Sequence, residues 1–191
     1  GKLRGVKEAG KAFAFPTYFF VGCMFIVFGM GLYRLANGTL PVLDTDLPGA
    51  VHVGQAQGLL TFSAIFILLR AFANGGSSLT GLEAISDGVA LFKTPEHVNA
   101  KRTLVVMSTL LGTLVLGVSY FAHHIHAMPY ESGVPTVISQ IAKAAVGTGT
   151  FGSVMFILVQ LATMLVLFAG ANTTYSAFPL LVNFVASDGY L

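Results

Sequence analysis

Long stretches of this sequence contain no Lys, Arg, Asp or Glu, among them residues 12–33, 103–130 and 144–187. A helix of about 20 apolar residues crosses the hydrocarbon core of a bilayer, so each stretch can hold a span. Charged residues make up 9% of the chain and hydrophobic residues 54%, whereas a soluble protein carries about 25% charged residues. The sequence excludes a water-soluble domain, a disordered segment and a nucleic-acid binder, and it predicts an all-α membrane protein.

A fourth apolar region, residues 51–92, is interrupted in its middle. An apolar half containing Arg70 is followed by the run NGGSSLTG and then by LEAISDGVALF. One straight helix of this length would be about 60 Å long, twice the ~30 Å hydrocarbon core. We therefore predict four spans, the second of them a helix broken near residues 74–81; the spans are residues 12–35, 54–92, 103–122 and 150–176.

The segments outside the predicted spans differ in their basic residues. Residues 1–11 and 93–102 are rich in Lys and Arg, whereas residues 37–55 and the loop after the third span contain at most one each. Basic loops stay on the cytoplasmic side of a membrane. We expect both chain ends and the 93–102 loop to be cytoplasmic, in a multi-pass protein of the plasma membrane, with a bacterial cell membrane favoured.

Two prolines mark predicted helix boundaries. Thr94-Pro95 predicts a helix start, with Thr94 as the N-cap and Pro95 in the first helical position. Pro179 is predicted to separate the last span from LLVNFVASDGYL, which we expect to form a short interfacial helix.

The break in the second span is the main candidate site. Backbone that leaves a helix at membrane depth is tolerated only when it is buried in protein or lines a wet cavity. The ends of such half-helices bind substrates and ions in secondary transporters. A bent helix, or a loop between two shorter elements, is the alternative. The break offers hydroxyl groups and turn-forming glycines, which are Ser77, Ser78, Thr80, Gly75, Gly76 and Gly81.

Two carboxylates follow the break. Thr80, Glu83 and Asp87 are spaced three and four residues apart, so they share one face of a helix. A carboxylate inside a membrane is costly, so it tends to face the protein interior and to carry function. This pattern predicts proton coupling or cation binding, with Asp87 the weaker candidate because it lies nearer the cytoplasmic end. The alternatives are an interfacial acid and an ion pair with Arg70 that holds the bundle together.

Two further polar clusters were weighed. His123, His124 and His126 could bind a transition metal or sense external pH, but no Cys or nearby carboxylate completes a ligand set, so a plain interfacial loop is favoured. Thr173 and Thr174 could offer hydroxyls to an ion, and hydrogen bonds between helices explain them equally well.

Enzyme motifs are absent from the sequence. H-E-x-x-H, which an intramembrane metalloprotease needs, does not occur, and neither does the G-x-S-x-G turn of a serine nucleophile. We predict no catalytic residue, no organic cofactor and no metal site other than one for an alkali cation. A channel or a structural membrane subunit is the alternative to a carrier.

Three segments carry a resemblance to a known family. The stretch LLRAFANGGSSLTGLEAISDGVALFKTPEHVNAKRTL resembles the sixth helix and following loop of the amino acid–polyamine–organocation superfamily of secondary transporters. RGVKEAGKAFAFPTY is similar to the beginning of the fifth helix in that superfamily, and ANTTYSAFPLLVNFVASDGYL to the end of the eighth. The segment L-T-G-x-E-A-I-S-x-G-V most resembles the bacterial potassium–proton symporter branch.

The resemblance implies a fold and a function. The fold is the leucine-transporter-like pair of inverted five-helix repeats, of which this chain would be helices five to eight. The function is proton-coupled uptake of a small cation by alternating access, with K⁺ and H⁺ as the transported ions and with Thr80 and Glu83 in the potassium site. An amino acid or polyamine permease is the alternative. The implied partners are membrane lipid and the remaining helices of the full-length transporter, with a homodimer left open.

Overall fold

The computed structural model describes residues 2–44, 49, 62–76, 81, 89, 92–187 and 189. Over these residues the chain is helical and has no strand ladder, which confirms the all-α prediction. The helices are α1 (Lys2–Ala36), α2 (Phe62–Gly76), α3 (Glu96–His124), α4 (Val137–Val146) and α5 (Thr150–Ser187).

Three of the described helices are long and apolar enough to cross a membrane. These spans are Ala14–Ala36 in α1, Glu96–His124 in α3 and Thr150–Asn172 in α5. The described part of α2 contains a shorter apolar stretch, Ala64–Gly76. The chain is thus a multi-pass membrane protein, while the count of four spans and the broken second helix stay predictions.

The chain forms two compact units. One comprises residues 1–50 and 121–191, and the other comprises residues 51–120. The first unit holds α1, α4, α5 and the last turn of α3. The second unit holds α2 and the rest of α3.

The core of the first unit lies along one face of α1. Met24, Val27 and Phe28 are buried there, at the spacing that puts residues on one side of a helix. The ring of Phe28 stacks on Phe121, with 5.6 Å between the ring centroids. Gly31 lies one turn further along, directly beneath the same Phe121 ring. The absent side chain at Gly31 therefore lets the aromatic ring lie against the α1 backbone.

Helix α5 presents a matching face to the same core. Met155, Val159 and Ala162 are buried at intervals of four and three residues. Helix α5 packs against both α1 and α4, and α1 packs against α4 as well. Small residues such as Ala162 let helices approach closely, and this close packing is the main attraction between helices in a membrane.

Helix α4 lies in a segment that the sequence predicts to be part of the loop after the third span, and this prediction is wrong. Thr136 caps the helix by accepting a hydrogen bond from the Ser139 N–H at 3.2 Å. Gly147 ends it with φ 76°, a conformation that favours glycine. Just beyond, Gly152 of α5 packs directly against the main-chain carbonyl of Gly147. The segment was missed because it is short and contains Lys143, which was taken as the boundary of a span.

In the second unit, α3 begins one residue later than expected. The main-chain carbonyl of Pro95 accepts the Asn99 N–H at 3.2 Å, so Pro95 occupies the cap position that was predicted for Thr94. The Asn99 side chain donates to the Lys93 carbonyl at 2.9 Å and strengthens this start. Three threonine hydroxyls within the helix donate to carbonyls four residues earlier, which satisfies these polar groups inside the helix; they are those of Thr103, Thr109 and Thr113.

Two helices are longer than the spans within them. Helix α1 is already helical at Lys2 and contains Pro16. Helix α5 continues through Pro179 to Ser187, so the predicted separation of an interfacial helix at Pro179 is wrong. A proline removes one main-chain N–H from the helix, and membrane helices tolerate this loss.

Candidate functional site

The predicted ion site falls mostly outside the described residues. The described part of helix α2 continues through Asn74 to Gly76, so the first three residues of the predicted break are helical. Gly81 also has helical backbone, and a Cβ built on it would lie 3.8 Å from the Met107 Cε. The remaining candidates of this site lie outside the described residues and stay predictions; they are Ser77, Ser78, Thr80, Glu83 and Asp87.

The other candidates are only partly described. Arg70 is exposed on α2, while its suggested partners Glu83 and Asp87 lie outside the described residues. Thr173 and Thr174 belong to α5, and their side chains are likewise not described. The roles predicted for these residues stay predictions.

The histidine cluster lies at the end of α3. His123 and His124 form the last turn, with their ring centroids 5.7 Å apart and their planes nearly perpendicular. His126 follows with φ 54°. Among the described residues, no group of three His, Cys, Asp or Glu side chains is placed to hold a metal ion. The plain interfacial loop favoured for these residues stays a prediction.

The structure brings Arg34 to the end of α4. The Arg34 Nη1 donates to the main-chain carbonyl of Ala144 at 2.9 Å, in a partly buried position. A Cβ built on Gly147 would lie 2.8 Å from the same Nη1, so the guanidinium rests against the end of the helix. The last carbonyls of a helix lack partners within it and form its negative pole. Arg34 thus stabilises α4 by charge and by hydrogen bonding.

A cavity of about 560 Å³ opens beside Arg34. Lys143 and Tyr130 contribute polar groups to its wall, and Leu43 and Phe156 contribute apolar surface. Ser139 also lines it, and its Oγ accepts a hydrogen bond from the Gln160 Nε2 at 2.9 Å. Two basic residues and three residues with hydroxyl groups, the third being Thr148, therefore line a cavity with largely apolar walls.

The wall of this cavity is held by the buried side chain of Gln140. Its Nε2 donates to the carbonyls of Met128, at 2.8 Å, and Pro135, at 3.0 Å. Its Oε1 accepts the Met128 N–H at 3.2 Å. These three main-chain groups lie outside any helix, and this one side chain satisfies their hydrogen bonds. It thereby holds the segment before α4 against α4.

The two loops that are poor in basic residues meet at this end of the unit. The Leu43 N–H donates to the Ile125 carbonyl at 2.9 Å, which joins the segment after α1 to the segment after α3. The Glu131 N–H donates to the Gly49 carbonyl at 3.0 Å. Both bonds agree with the expectation that the two loops lie on one side of the membrane.

Sequence reasoning missed Arg34, Gln140 and Lys143 as parts of one site. Thr136 and Gly147 are typical capping residues, and together with the apolar pattern between them they could have indicated α4. The contact of Arg34 gives no comparable signal, because its partner is a main-chain carbonyl that any residue type supplies.

Comparison with known proteins bears on the predicted resemblance. No family model matches the chain. Over 189 residues, or 99% of its length, the chain is 36% identical to the potassium transporter KimA of Bacillus subtilis strain 168. The chain spans 29% of the length of that transporter. This confirms the resemblance that the three motifs indicated: the chain is similar, along essentially all of its length, to a bacterial potassium transporter of the amino acid–polyamine–organocation superfamily.

Proposed function

We propose that this chain is part of a secondary active transporter that takes up potassium across the plasma membrane. The observation that carries the proposal is the 36% identity to a potassium transporter along 99% of the chain. The described helices supply the apolar spans that a carrier of this kind needs. We further propose that uptake is coupled to protons and proceeds by alternating access around the second span.

The proposed chemistry rests on oxygen ligands in the second span. Potassium is a hard alkali ion, and proteins bind hard cations through carboxylate, carbonyl and hydroxyl oxygens. Glu83 would supply a negative charge and Thr80 a neutral oxygen three residues earlier, on the same helical face. A carboxylate can hold either an alkali ion or a proton, so one residue would serve both binding and coupling.

The other ligands of the ion would come from outside this chain. Because the chain spans 29% of the length of the related transporter, most of that protein has no counterpart here. Reconstituted alone, the 191 residues are expected to show no saturable uptake. Robust proton-dependent uptake by this chain alone would contradict the proposal that further helices complete the site.

The decisive experiment removes only the charge of Glu83 in the full-length protein. Glu83→Gln keeps the volume of the side chain but cannot exchange a cation for a proton, so potassium uptake should be lost while expression and thermal stability stay normal. Thr80→Val should weaken apparent affinity less, because one neutral ligand is lost. Glu131→Gln is the matched control, since Glu131 is exposed in the loop after α3, and its uptake should equal that of the wild type.

The structural alternative predicts a different outcome. If Glu83 only pairs with Arg70, Glu83→Gln lowers thermal stability and the additional change Arg70→Gln partly restores it. Uptake and melting temperature measured on both single variants and on the double variant separate the two roles. Wild-type uptake with wild-type pH dependence in Glu83→Gln would end the cation-site proposal, and uptake of an amino acid or polyamine in place of potassium would favour the permease alternative.

A further inference from the structure

Two basic residues that are far apart in sequence line one cavity of the first unit. The predicted topology places every Lys and Arg on the cytoplasmic side except three. The exceptions are Arg70, which lies within α2, and Arg34 and Lys143. Both line the cavity of about 560 Å³, and none of its described lining residues is Asp or Glu. Two cations in a concavity with largely apolar walls create a positive potential that attracts an anion.

Hydrogen-bond donors surround the same space. A guanidinium has five N–H donors, and the Arg34 Nη1 uses one of them on the Ala144 carbonyl. The Ser139 Oγ already accepts a bond from Gln160, so its own hydrogen remains to be donated. The Tyr130 hydroxyl can donate as well. Charged donors beside neutral hydroxyls are the arrangement that binds a phosphate group.

A second cavity continues from the first towards the apolar surface of α5. Its volume is about 350 Å³, and it shares Lys143, Gly147, Thr148 and Phe156 with the first cavity. Ile157 also lines it and is 64% exposed within the span Thr150–Asn172. Apolar surface of α5 therefore adjoins the cavity that the two cations line. A free phosphate ion would contact only the charged part of these cavities.

The depth of the first cavity matches the level of lipid headgroups. Arg34 lies in the last turn of the span Ala14–Ala36, and Phe156 lies in the second turn of the span Thr150–Asn172. We propose that the two connected cavities bind one anionic phospholipid. Its phosphate contacts Arg34 and Lys143, and an acyl chain lies along Ile157. A guanidinium and an ammonium group bind a phosphate through charge-assisted hydrogen bonds.

The test is native mass spectrometry of the full-length protein in detergent, titrated with phosphatidylglycerol or with phosphatidylcholine. The wild type should retain more phosphatidylglycerol than phosphatidylcholine. Lys143→Gln should lower the affinity for it about fivefold, the effect of removing one basic residue near a lipid surface. Lys143→Arg keeps the charge and should bind as the wild type does. Lys93→Gln, which removes an exposed cation outside the cavity, should also leave binding unchanged.

Lys143 is the informative position because Arg34 also holds α4, so that Arg34→Gln can lose lipid through a loss of structure. Equal retention of the two lipids by the wild type would overturn the proposal, and so would equal phosphatidylglycerol binding by Lys143→Gln. Soluble glycerol phosphate in excess should leave the bound lipid in place, because it lacks the acyl chain. If it displaces the lipid completely, the cavity binds a phosphate group and not a phospholipid.

Discussion

The guanidinium of Arg34 donates a hydrogen bond to the main-chain carbonyl of Ala144, 2.9 Å away and 110 positions later in the sequence. Arg34 belongs to the last turn of α1, and Ala144 to the last turn of α4. The bond is partly buried and charge-assisted, and bonds of this kind contribute about 1.5–3 kcal/mol. One side chain thereby joins two helix ends that the sequence keeps far apart.

Removal of this bond should destabilise the protein. Arg34→Gln cannot reach the Ala144 carbonyl with a charged donor, so the free energy of unfolding should fall by about 1.5–3 kcal/mol. Thermal unfolding of the full-length protein in detergent measures the change. Tyr33→Phe is the matched control, because Tyr33 is 73% exposed and adjacent in sequence, and its midpoint should not move. An unchanged midpoint in Arg34→Gln would show that the bond contributes no stability.

Gly147 and Gly38 form a matched pair for a second prediction. Both have positive φ, 76° and 64°, but a Cβ on Gly147 would meet the Arg34 Nη1 at 2.8 Å while one on Gly38 would meet nothing within 4 Å. Gly38→Ala should cost about 1 kcal/mol, the penalty of a left-handed residue. Gly147→Ala should cost about 2–3 kcal/mol, because φ 76° with ψ −167° is a conformation that only glycine adopts readily and because Arg34 must also move. Equal melting temperatures for the two variants would contradict the contact.

Gly31 and Gly29 on α1 form another pair. A Cβ on Gly31 would lie 2.6 Å from the Phe121 Cε1, and the Phe121 ring is buried and stacked on Phe28, so it has no room to yield. Gly31→Ala should destabilise the protein by about 1–3 kcal/mol, as overpacking does. A Cβ on Gly29 meets nothing within 4 Å, so Gly29→Ala should be neutral or slightly stabilising, because alanine favours a helix. Chemical denaturation of both variants provides the comparison, and the reverse order of stability would be evidence against this packing.

The predicted topology can be tested by thiol labelling of intact cells. A cysteine in place of Glu131 should react with a membrane-impermeant reagent, because its loop is expected outside the cell. A cysteine in place of Glu96, at the start of α3, should not react because it is expected in the cytoplasm. Within this chain the natural thiol of Cys23 is 4% exposed and should add little to the labelling. The reverse pattern would invert the orientation of every span.

The spans were predictable because charge is so costly in a membrane that its absence marks them. Residues 12–33 and 103–130 have no charged side chain, and α1 and α3 cross these regions. The same reasoning failed at α4, where Lys143 was taken as a boundary although a side chain at the end of a short amphipathic helix can carry a charge. The continuation of α5 through Pro179 was not predicted, because the missing main-chain N–H of this proline was expected to end the helix.

The cavity beside Arg34 could not be predicted from the sequence for a different reason. Its two cations come from helices that are more than a hundred residues apart, and neither lies in a motif. Gln140 holds the wall through three main-chain groups, which any residue at position 135 and any residue except proline at position 128 would provide. A hydrogen bond to a main-chain group depends on the three-dimensional path of the chain. A sequence pattern shows only which side chains are present and how they are spaced. The Thr80 and Glu83 prediction rests on side-chain spacing and on resemblance, and it lies outside the described residues.

The contact of Gly152 with the Gly147 carbonyl has a mechanical consequence. It presses backbone on backbone at the corner between α4 and α5, with no side chain between them that could rotate out of the way. A hinge needs soft torsions or compressible contacts, and this corner is packed too tightly to provide them. If α5 tilts, α4 should therefore move with it as one rigid body. Because Arg34 binds the same end of α4, such a movement must either carry the end of α1 along or break the bond to the guanidinium.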